Sequence, residues 1–249
     1  MSTGRRNRAW KGNDPLKTKW KESRHAIAAF NRTDLIAITT VFALLLVLLS
    51  VLLFSPGEQK RRLLCRNNLQ QLQRSLQLYA NDNNSRLPDC TRSNPKFFGS
   101  YWPWDLHTNL VSELQRRGAS RSAFYCPSNS KMNNDERWNF WKYSPPPIRV
   151  VGYVFLMNGC VQVPPRLWRT DLKGDGARPP AETELVLDAT LSRNGDYEHI
   201  QGKWVDRTSH LVKGGRPAGG NIAFEDGHAE WRDFGKMQHR IFGDAVWDF

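Results

Sequence analysis

The 249-residue sequence predicts an α+β fold, in which a long N-terminal helix packs on an antiparallel β-sheet with long loops. Three observations predict this fold. An apolar run without charged residues covers Leu35–Phe54, apolar residues then recur every three or four positions, and an Asp226-Gly227 pair separates two apolar segments near the C-terminus. The first two patterns are typical of helices and the third is typical of a β-hairpin.

The N-terminal charge distribution predicts a membrane anchor. The run Leu35–Phe54 is long enough to cross a bilayer, which takes about 20 apolar residues. Residues 1–29 hold eight lysines and arginines against two acids, within a chain of net charge +12. A basic segment before a span is retained in the cytoplasm. We therefore expect a basic cytoplasmic leader at 1–29, a transmembrane helix at 30–57 and an extracytoplasmic domain at 58–249, in a single-pass protein of the inner (cytoplasmic) membrane.

Two other interpretations of the N-terminus are disfavoured. Half of the net charge of +12 lies in residues 1–29, directly before the apolar run, so we expect no nucleic-acid partner and name the lipid bilayer instead. A cleaved secretory signal has an apolar core of about 7–15 residues and a small-x-small cleavage site. The core here is longer, and Leu53–Pro56 offers no such site.

The segment after the span predicts an amphipathic helix that ends at Asn81–Asn84, where side chains compete for backbone hydrogen bonds. Pro56 is expected to kink the rod formed by span and helix. The apolar residues of this helix are Leu63, Leu69, Leu72, Leu76 and Tyr79.

The remaining elements are shorter. The sequence predicts a helix with Leu106, Leu110, Val111 and Leu114 that is closed by Gly118. It also predicts strands at Phe124–Cys126, Arg149–Asn158 and Glu184–Asp188, and loops at Lys131–Pro147, 164–182 and 190–203.

The clearest local signal is the Asp226-Gly227 turn, because both central positions of a two-residue hairpin loop need positive φ. Such a loop pairs Glu225 with His228, Phe224 with Ala229, Ala223 with Glu230, and Ile222 with Trp231. Ile222, Phe224, Ala229 and Trp231 would then share the core face.

The cysteines permit either two disulfides, with three possible connectivities, or buried thiols. They are Cys65, Cys90, Cys126 and Cys160. Because no two of them form a CxxC pair, we predict no zinc site and no cofactor.

His210, Asp226, His228 and Glu230 are the other candidate metal or acid–base residues. Turn geometry already explains Asp226, and a third ligand is not apparent, so a structural histidine is favoured. The loop acids Asp171, Asp175 and Asp196 do not follow EF-hand spacing, which disfavours calcium.

Several segments together resemble the prepilin-like proteins, relatives of type IV pilins and type II secretion pseudopilins that are abundant in Planctomycetes and Verrucomicrobia. The resemblance covers most of residues 28–245, including a C-terminal His…Asp-Gly processing-associated region. Its segments are Phe30–Leu35, Cys65–Leu72, Leu78–Asn84, Tyr125–Ser128, Thr208–His210, Pro217–Asn221 and Asp226–His228.

This resemblance implies a pilin-like fold and a structural subunit or accessory of an envelope filament or a type II secretion-like apparatus. It implies cleavage by prepilin peptidase between Ala29 and Phe30, with methylation of the new amine. It also implies that Asp34 pairs with that amine on a neighbouring pilin-like subunit. Ala29 and Asp34 stand where the family has glycine and glutamate. The alternative role for Asp34 is a headgroup-level acid that the helix dipole favours.

No sequence signal points to an enzyme. The Gly214–Gly220 loop lacks the Gly-Lys-Ser/Thr ending of a phosphate loop, and no Gly-x-Ser-x-Gly elbow occurs. Ten tryptophans could stack on sugars, so the alternative function is a permanently anchored protein with an extracytoplasmic glycan-binding domain.

Overall fold

The computed structural model describes residues 31–53, 57–98, 102–142, 146–157, 179–188, 190–200, 206–242 and 245–248, with backbone alone at 48–53, 141, 240–242 and 245–247. The chain divides after Leu53 into two compact units. The predicted processing positions Ala29 and Phe30 lie outside the described residues.

The described elements are α-helices and antiparallel strands, which confirms the α+β class. The helices are α1 Arg32–Leu53, α2 Gly57–Asp82, α3 Thr108–Arg116 and α4 Asp135–Trp138. The strands are β1 Asp105–His107, β2 Ile148–Val150, β3 Val154–Phe155, β4 Glu184–Leu187, β5 Thr190–Ser192, β6 Gly219–Phe224, β7 Ala229–Asp233, β8 His239–Phe242 and β9 Ala245–Asp248.

Helix α1 is the described element of the first unit. Asp34 lies in its first turn and accepts the backbone N–H of Asn31 at 3.2 Å, a helix-capping contact. The hydroxyls of Thr39 and Thr40 donate to the carbonyls of Leu35 and Ile36 at 2.9 Å each. In the part of the chain that the structure describes, no helix reaches the length and hydropathy of a membrane span.

Helix α2 contacts the sheet β3-β4-β6-β7 in the second unit. Its amphipathic pattern and its end near Asn81 are confirmed. A buried stripe faces the core. Leu63 is predicted to belong to this apolar face, but it is 61% exposed. The stripe runs through Cys65, Leu69, Leu72, Leu76 and Tyr79 at intervals of four and three residues.

The middle of the chain differs from the predictions. Leu106 lies in β1 and not in the following helix, and Phe124–Cys126 is not a strand. Instead, two 3-10 segments, Arg121–Phe124 and Pro127–Met132, flank a short extended connection. The predicted loop at Lys131–Pro147 includes α4 and a 3-10 turn.

The predicted strand at Arg149–Asn158 is two strands in two different sheets. Strand β2 pairs with β1, and β3 pairs with β4. Between them, the Gly152 N–H donates to the carbonyl of Phe124 at 2.8 Å, and a Cβ at Gly152 would lie 3.2 Å from Tyr125 Cα. This close approach turns the chain from one sheet into the other.

The predicted strand at Glu184–Asp188 is confirmed as β4, which ends one residue before Asp188. The predicted loop at 190–203 begins instead with β5, which pairs with β9. Most of the predicted loop at 164–182 lies outside the described residues.

The C-terminal hairpin turns at Asp226 and Gly227, but with a three-residue loop. The Phe224 N–H donates to the His228 carbonyl at 2.9 Å, and Gly227, at φ +101°, donates to the Phe224 carbonyl at 3.1 Å. This geometry is a turn followed by a glycine bulge. The predicted register is therefore wrong by one residue, since Ile222 pairs with Glu230 and Asn221 with Trp231. Trp231 leaves the face of Ile222.

Candidate functional site

Four side chains that are distant in sequence meet inside the second unit: Cys65, Cys126, Asp188 and His210. One ligand-type atom from each lies within 4.8 Å of all the others. Asp188 Oδ2 lies 2.7 Å from Cys65 Sγ and 3.1 Å from His210 Nε2, and Cys126 Sγ lies 3.2 Å from His210 Nε2. No member is more than 2% exposed. These four residues are called the Cys-Asp-His cluster below.

Helix α2 brings two residues to this cluster. Cys65 begins the buried stripe, four residues before Leu69. Glu58 lies seven residues earlier, which is about two helical turns and places it on the same face. Its carboxylate Oε1 lies 2.6 Å from His210 Nδ1, and its Oε2 accepts from Arg61 Nε at 2.9 Å.

Cys126 is held in the connection between the two 3-10 segments. Its backbone is extended, with φ −72° and ψ 127°, and Pro127 begins the next segment. The Asn68 amide on α2 donates to the carbonyl of Tyr125 at 3.0 Å, which fixes this connection against the helix.

Asp188 follows directly on β4, where the chain leaves the sheet. Its backbone N–H donates to the Asn221 carbonyl at 2.9 Å, and Oδ2 accepts the Asn221 N–H at 3.3 Å. Gly220 makes this approach possible, because a Cβ there would lie 2.7 Å from the Asp188 carbonyl oxygen. Asp188 Oδ1 has no hydrogen-bond partner among the described residues.

His210 adopts a strained backbone to reach the cluster. Its φ is +56°, which is uncommon for a residue other than glycine and costs about 1–3 kcal/mol. The ring edge packs at 89° on Trp231, and the guanidinium of Arg62 lies 3.9 Å from the centre of the Trp231 ring. Both ring nitrogens are engaged, Nε2 inside the cluster and Nδ1 with Glu58.

The electrostatics of the cluster are dominated by buried negative charge. Burial would lower the pKa of His210, but the Asp188 carboxylate and Cys126 outweigh burial and raise the pKa to about 11. Burial would raise the pKa of Asp188, but the His210 cation overrides it and lowers this pKa.

The two thiols shift in opposite directions. Burial, reinforced by Cys126 and Asp188, raises the pKa of Cys65, whereas hydrogen bonds from Cys65 and His210 overcome burial and lower the pKa of Cys126. Two sulfurs and a carboxylate therefore share a pocket in which positive charge is favourable.

The other candidate residues lie elsewhere. His228 contacts the Asp226 carboxylate through Nδ1 at 2.5 Å and stacks on Phe224. Glu230 contacts Arg232 at 3.1 Å. His210 is thus the one member of the predicted histidine–acid set that reaches the cluster, and Asp196 caps its own turn by accepting the His199 N–H.

The Cys-Asp-His cluster is not apparent from the sequence because its members come from four separated segments without motif spacing. Two signals point towards it. Cys65 continues the apolar stripe of α2, and Asp188 ends an apolar strand. His210 is among the candidate metal residues of the sequence, but no local spacing connects it with the two cysteines or with Asp188. In the described chain, neither Cys65, Cys90 nor Cys126 is in a disulfide, and Cys160 lies outside the described residues.

The cluster supports metal binding better than catalysis. Cys126, His210 and Asp188 are of the types that form a nucleophile–base–acid set, but they are 1%, 0% and 2% exposed, so a substrate has no access to the sulfur. Thiolates, imidazole and carboxylate are also the ligands that Zn²⁺ prefers.

Comparison with known proteins identifies no relative: no family model, curated protein or solved structure matches this chain.

Proposed function

We propose that this chain is a membrane-anchored, prepilin-like structural subunit or accessory of an envelope filament or type II secretion-like apparatus. The observation that carries the proposal is the surface of α1. Large apolar side chains are 51–64% exposed and project in every direction around the helix, among them Leu35, Ile36, Ile38, Val41, Phe42, Leu44, Leu45 and Leu46.

A helix that is apolar all round is a buried helix, in a core or in a membrane. The back-bonded hydroxyls of Thr39 and Thr40 support the membrane alternative, because polar groups in lipid must be satisfied within the protein. Helix α1, with 22 residues, covers Leu35–Leu53 and so nearly the whole uncharged run Leu35–Phe54.

The second unit supports a structural role in two ways. An amphipathic α2 packed on an antiparallel sheet is the arrangement that the resemblance to pilins implies. In addition, Trp102 stacks on Trp104 at 5.3 Å and Arg149 covers Trp138 at 4.3 Å, so these ring faces are occupied by protein, which disfavours sugar stacking.

The first test is the mature N-terminus. Mass spectrometry of membrane-extracted protein should find a chain that starts at Phe30 with a methylated amine. An intact chain that retains residues 1–29 would favour the permanent anchor with a ligand-binding domain.

The second test separates two roles of Asp34. If its carboxylate pairs with the Phe30 amine of a neighbouring subunit, Asp34→Ala should reduce subunit cross-linking but leave membrane insertion intact, since breaking a buried ion pair costs about 3–5 kcal/mol. Asp34→Glu is the matched control and should cross-link normally. Normal cross-linking of Asp34→Ala would exclude pairing with the amine of a neighbouring subunit. The role of Asp34 would then be the capping contact to Asn31.

A further inference from the structure

We propose that the Cys-Asp-His cluster binds one structural Zn²⁺ ion through the sulfurs of Cys65 and Cys126, the Asp188 carboxylate and His210 Nε2. This site does not depend on the membrane anchor, because all four residues lie in the second unit.

The donor set is the first argument. Zn²⁺ takes thiolate, imidazole and carboxylate ligands in a tetrahedral arrangement, and a structural site supplies four from the protein. Thiolates disfavour magnesium and calcium, which prefer oxygen ligands. All four donors are closed off from solvent, as in a structural site.

The spacing of the donors is the second argument. Zinc–ligand bonds of about 2.0–2.3 Å in a tetrahedron place neighbouring donor atoms roughly 3.3–3.8 Å apart. The cluster has its donors 2.7, 3.1 and 3.2 Å apart along three edges and within 4.8 Å overall. An ion fits after movements of less than about 1 Å, which side-chain rotation supplies.

The surroundings of the ligands are the third argument. A histidine that binds a metal through one ring nitrogen commonly donates the other N–H to a carboxylate, which fixes its tautomer and orientation. Glu58 lies 2.6 Å from His210 Nδ1 in this position. The Asn221 N–H holds Asp188, and the Tyr153 hydroxyl donates to Cys65 Sγ at 3.4 Å.

Without an ion, the cluster is energetically costly. Buried charges are paired or coordinate metals, and a buried acceptor without a partner is costly. Asp188 Oδ1 is such an acceptor among the described residues, and His210 holds a strained φ. Binding of Zn²⁺ displaces the protons of the thiols and the imidazolium to solvent and supplies a cation for both thiolates and the carboxylate.

The chemical rival is a Cys65–Cys126 disulfide, which an oxidising compartment favours. Zinc and a disulfide require different states of the same sulfurs. The full-length protein should therefore be treated with an alkylating agent at lysis and digested without reductant. If the cluster binds zinc, a chelator that removes the metal frees both thiols, and Cys65 and Cys126 are each recovered as alkylated peptides. A peptide linked through Cys65 and Cys126 would overturn the proposal.

The decisive measurement is the metal content of the purified full-length protein, by mass spectrometry of the elements. We expect about one zinc per chain, retained on dialysis. Cys126→Ser and Asp188→Asn should lose it, while Cys90→Ser, which changes a cysteine outside the cluster, should retain it. Wild-type protein without stoichiometric zinc after growth with added zinc would contradict the site.

Replacement of zinc by Co²⁺ in the wild-type protein tests the ligands even if a variant fails to fold. The wild-type cobalt protein should show the d–d absorption of a tetrahedral site and thiolate-to-cobalt charge transfer. A cobalt spectrum without charge transfer would exclude the cysteines as ligands. Glu58→Gln should weaken metal affinity about 10–100-fold without loss of the charge-transfer band, as expected for a positioning residue.

Discussion

Helices α1 and α2 follow each other in the sequence and have similar lengths, 22 and 26 residues, but they distribute apolar side chains differently. Helix α2 is amphipathic and buries one stripe in its own unit. Helix α1 is apolar on all faces, and its described side chains are exposed. The packing partner of α2 therefore lies in the same chain, whereas under the proposed function the lipid bilayer surrounds α1.

The largest expected effect is in the core under α2. Leu72→Ala removes a side chain that is 0% exposed and should lower the free energy of unfolding of the second unit by about 2–5 kcal/mol. Leu44→Ala in α1 is the matched control and should leave this value unchanged. Denaturant unfolding followed by tryptophan fluorescence measures both, and equal losses would remove the distinction between the helices.

The stability of the second unit should depend on pH, whereas the membrane partition of α1 should not. Burial raises the pKa of Asp105 from 3.8 to about 7. The folded state therefore binds the Asp105 proton more tightly than the unfolded state does. The stability that the protonated carboxyl contributes is fully present below about pH 4 and is lost as the pH rises through 7. The Asp105 Oδ1 atom has no hydrogen-bond partner among the described residues.

Asp105→Asn should therefore stabilise the second unit at pH 8, by a few kcal/mol at most, and have little effect at pH 4. Unfolding midpoints across this range measure the effect, while membrane partition of α1 should not follow it. A parallel loss of stability with pH in wild type and variant would exclude Asp105 as the source.

The smallest expected effect is in the C-terminal hairpin. Gly227→Val forces a β-branched residue into a φ of +101° and should cost about 1–3 kcal/mol. Gly235→Val is the control, since Gly235 has open space around it and no positive φ. Equal melting temperatures for the two variants would count against the bulged turn.

Much of the fold follows from local pattern. The three- and four-residue spacing from Leu69 to Tyr79 predicts α2, and the apolar run of β4 predicts a buried strand. The Asp226-Gly227 pair gives the place of the hairpin turn but not its loop length. Both two- and three-residue loops accept this pair, and the choice changes the register by one residue.

The parts that pattern does not predict depend on distant contacts. The apolar run Arg149–Asn158 is predicted as one strand, and the approach of Gly152 to Phe124 divides it. The Cys-Asp-His cluster depends still more on tertiary structure. His210 lies in an irregular segment, and Glu58, two turns before Cys65, reads as an ordinary acid in the first turn of a helix.

The most direct test of the anchor compares equally exposed leucines in the two helices. Leu44 in α1 and Leu63 in α2 are 64% and 61% exposed. The double variant Leu44→Arg/Leu45→Arg places two charges in the proposed span, at about 2.5–3.5 kcal/mol each. The variant Leu63→Arg/Leu64→Arg places the same charges on the exposed side of α2.

Extraction of membranes with alkaline carbonate measures the outcome. We expect wild type and the α2 variant to stay in the membrane pellet, and the α1 variant to be released into the supernatant. If the α1 variant remains in the pellet as fully as the α2 variant, or if wild type itself is released, α1 is not a membrane anchor and the proposed function fails.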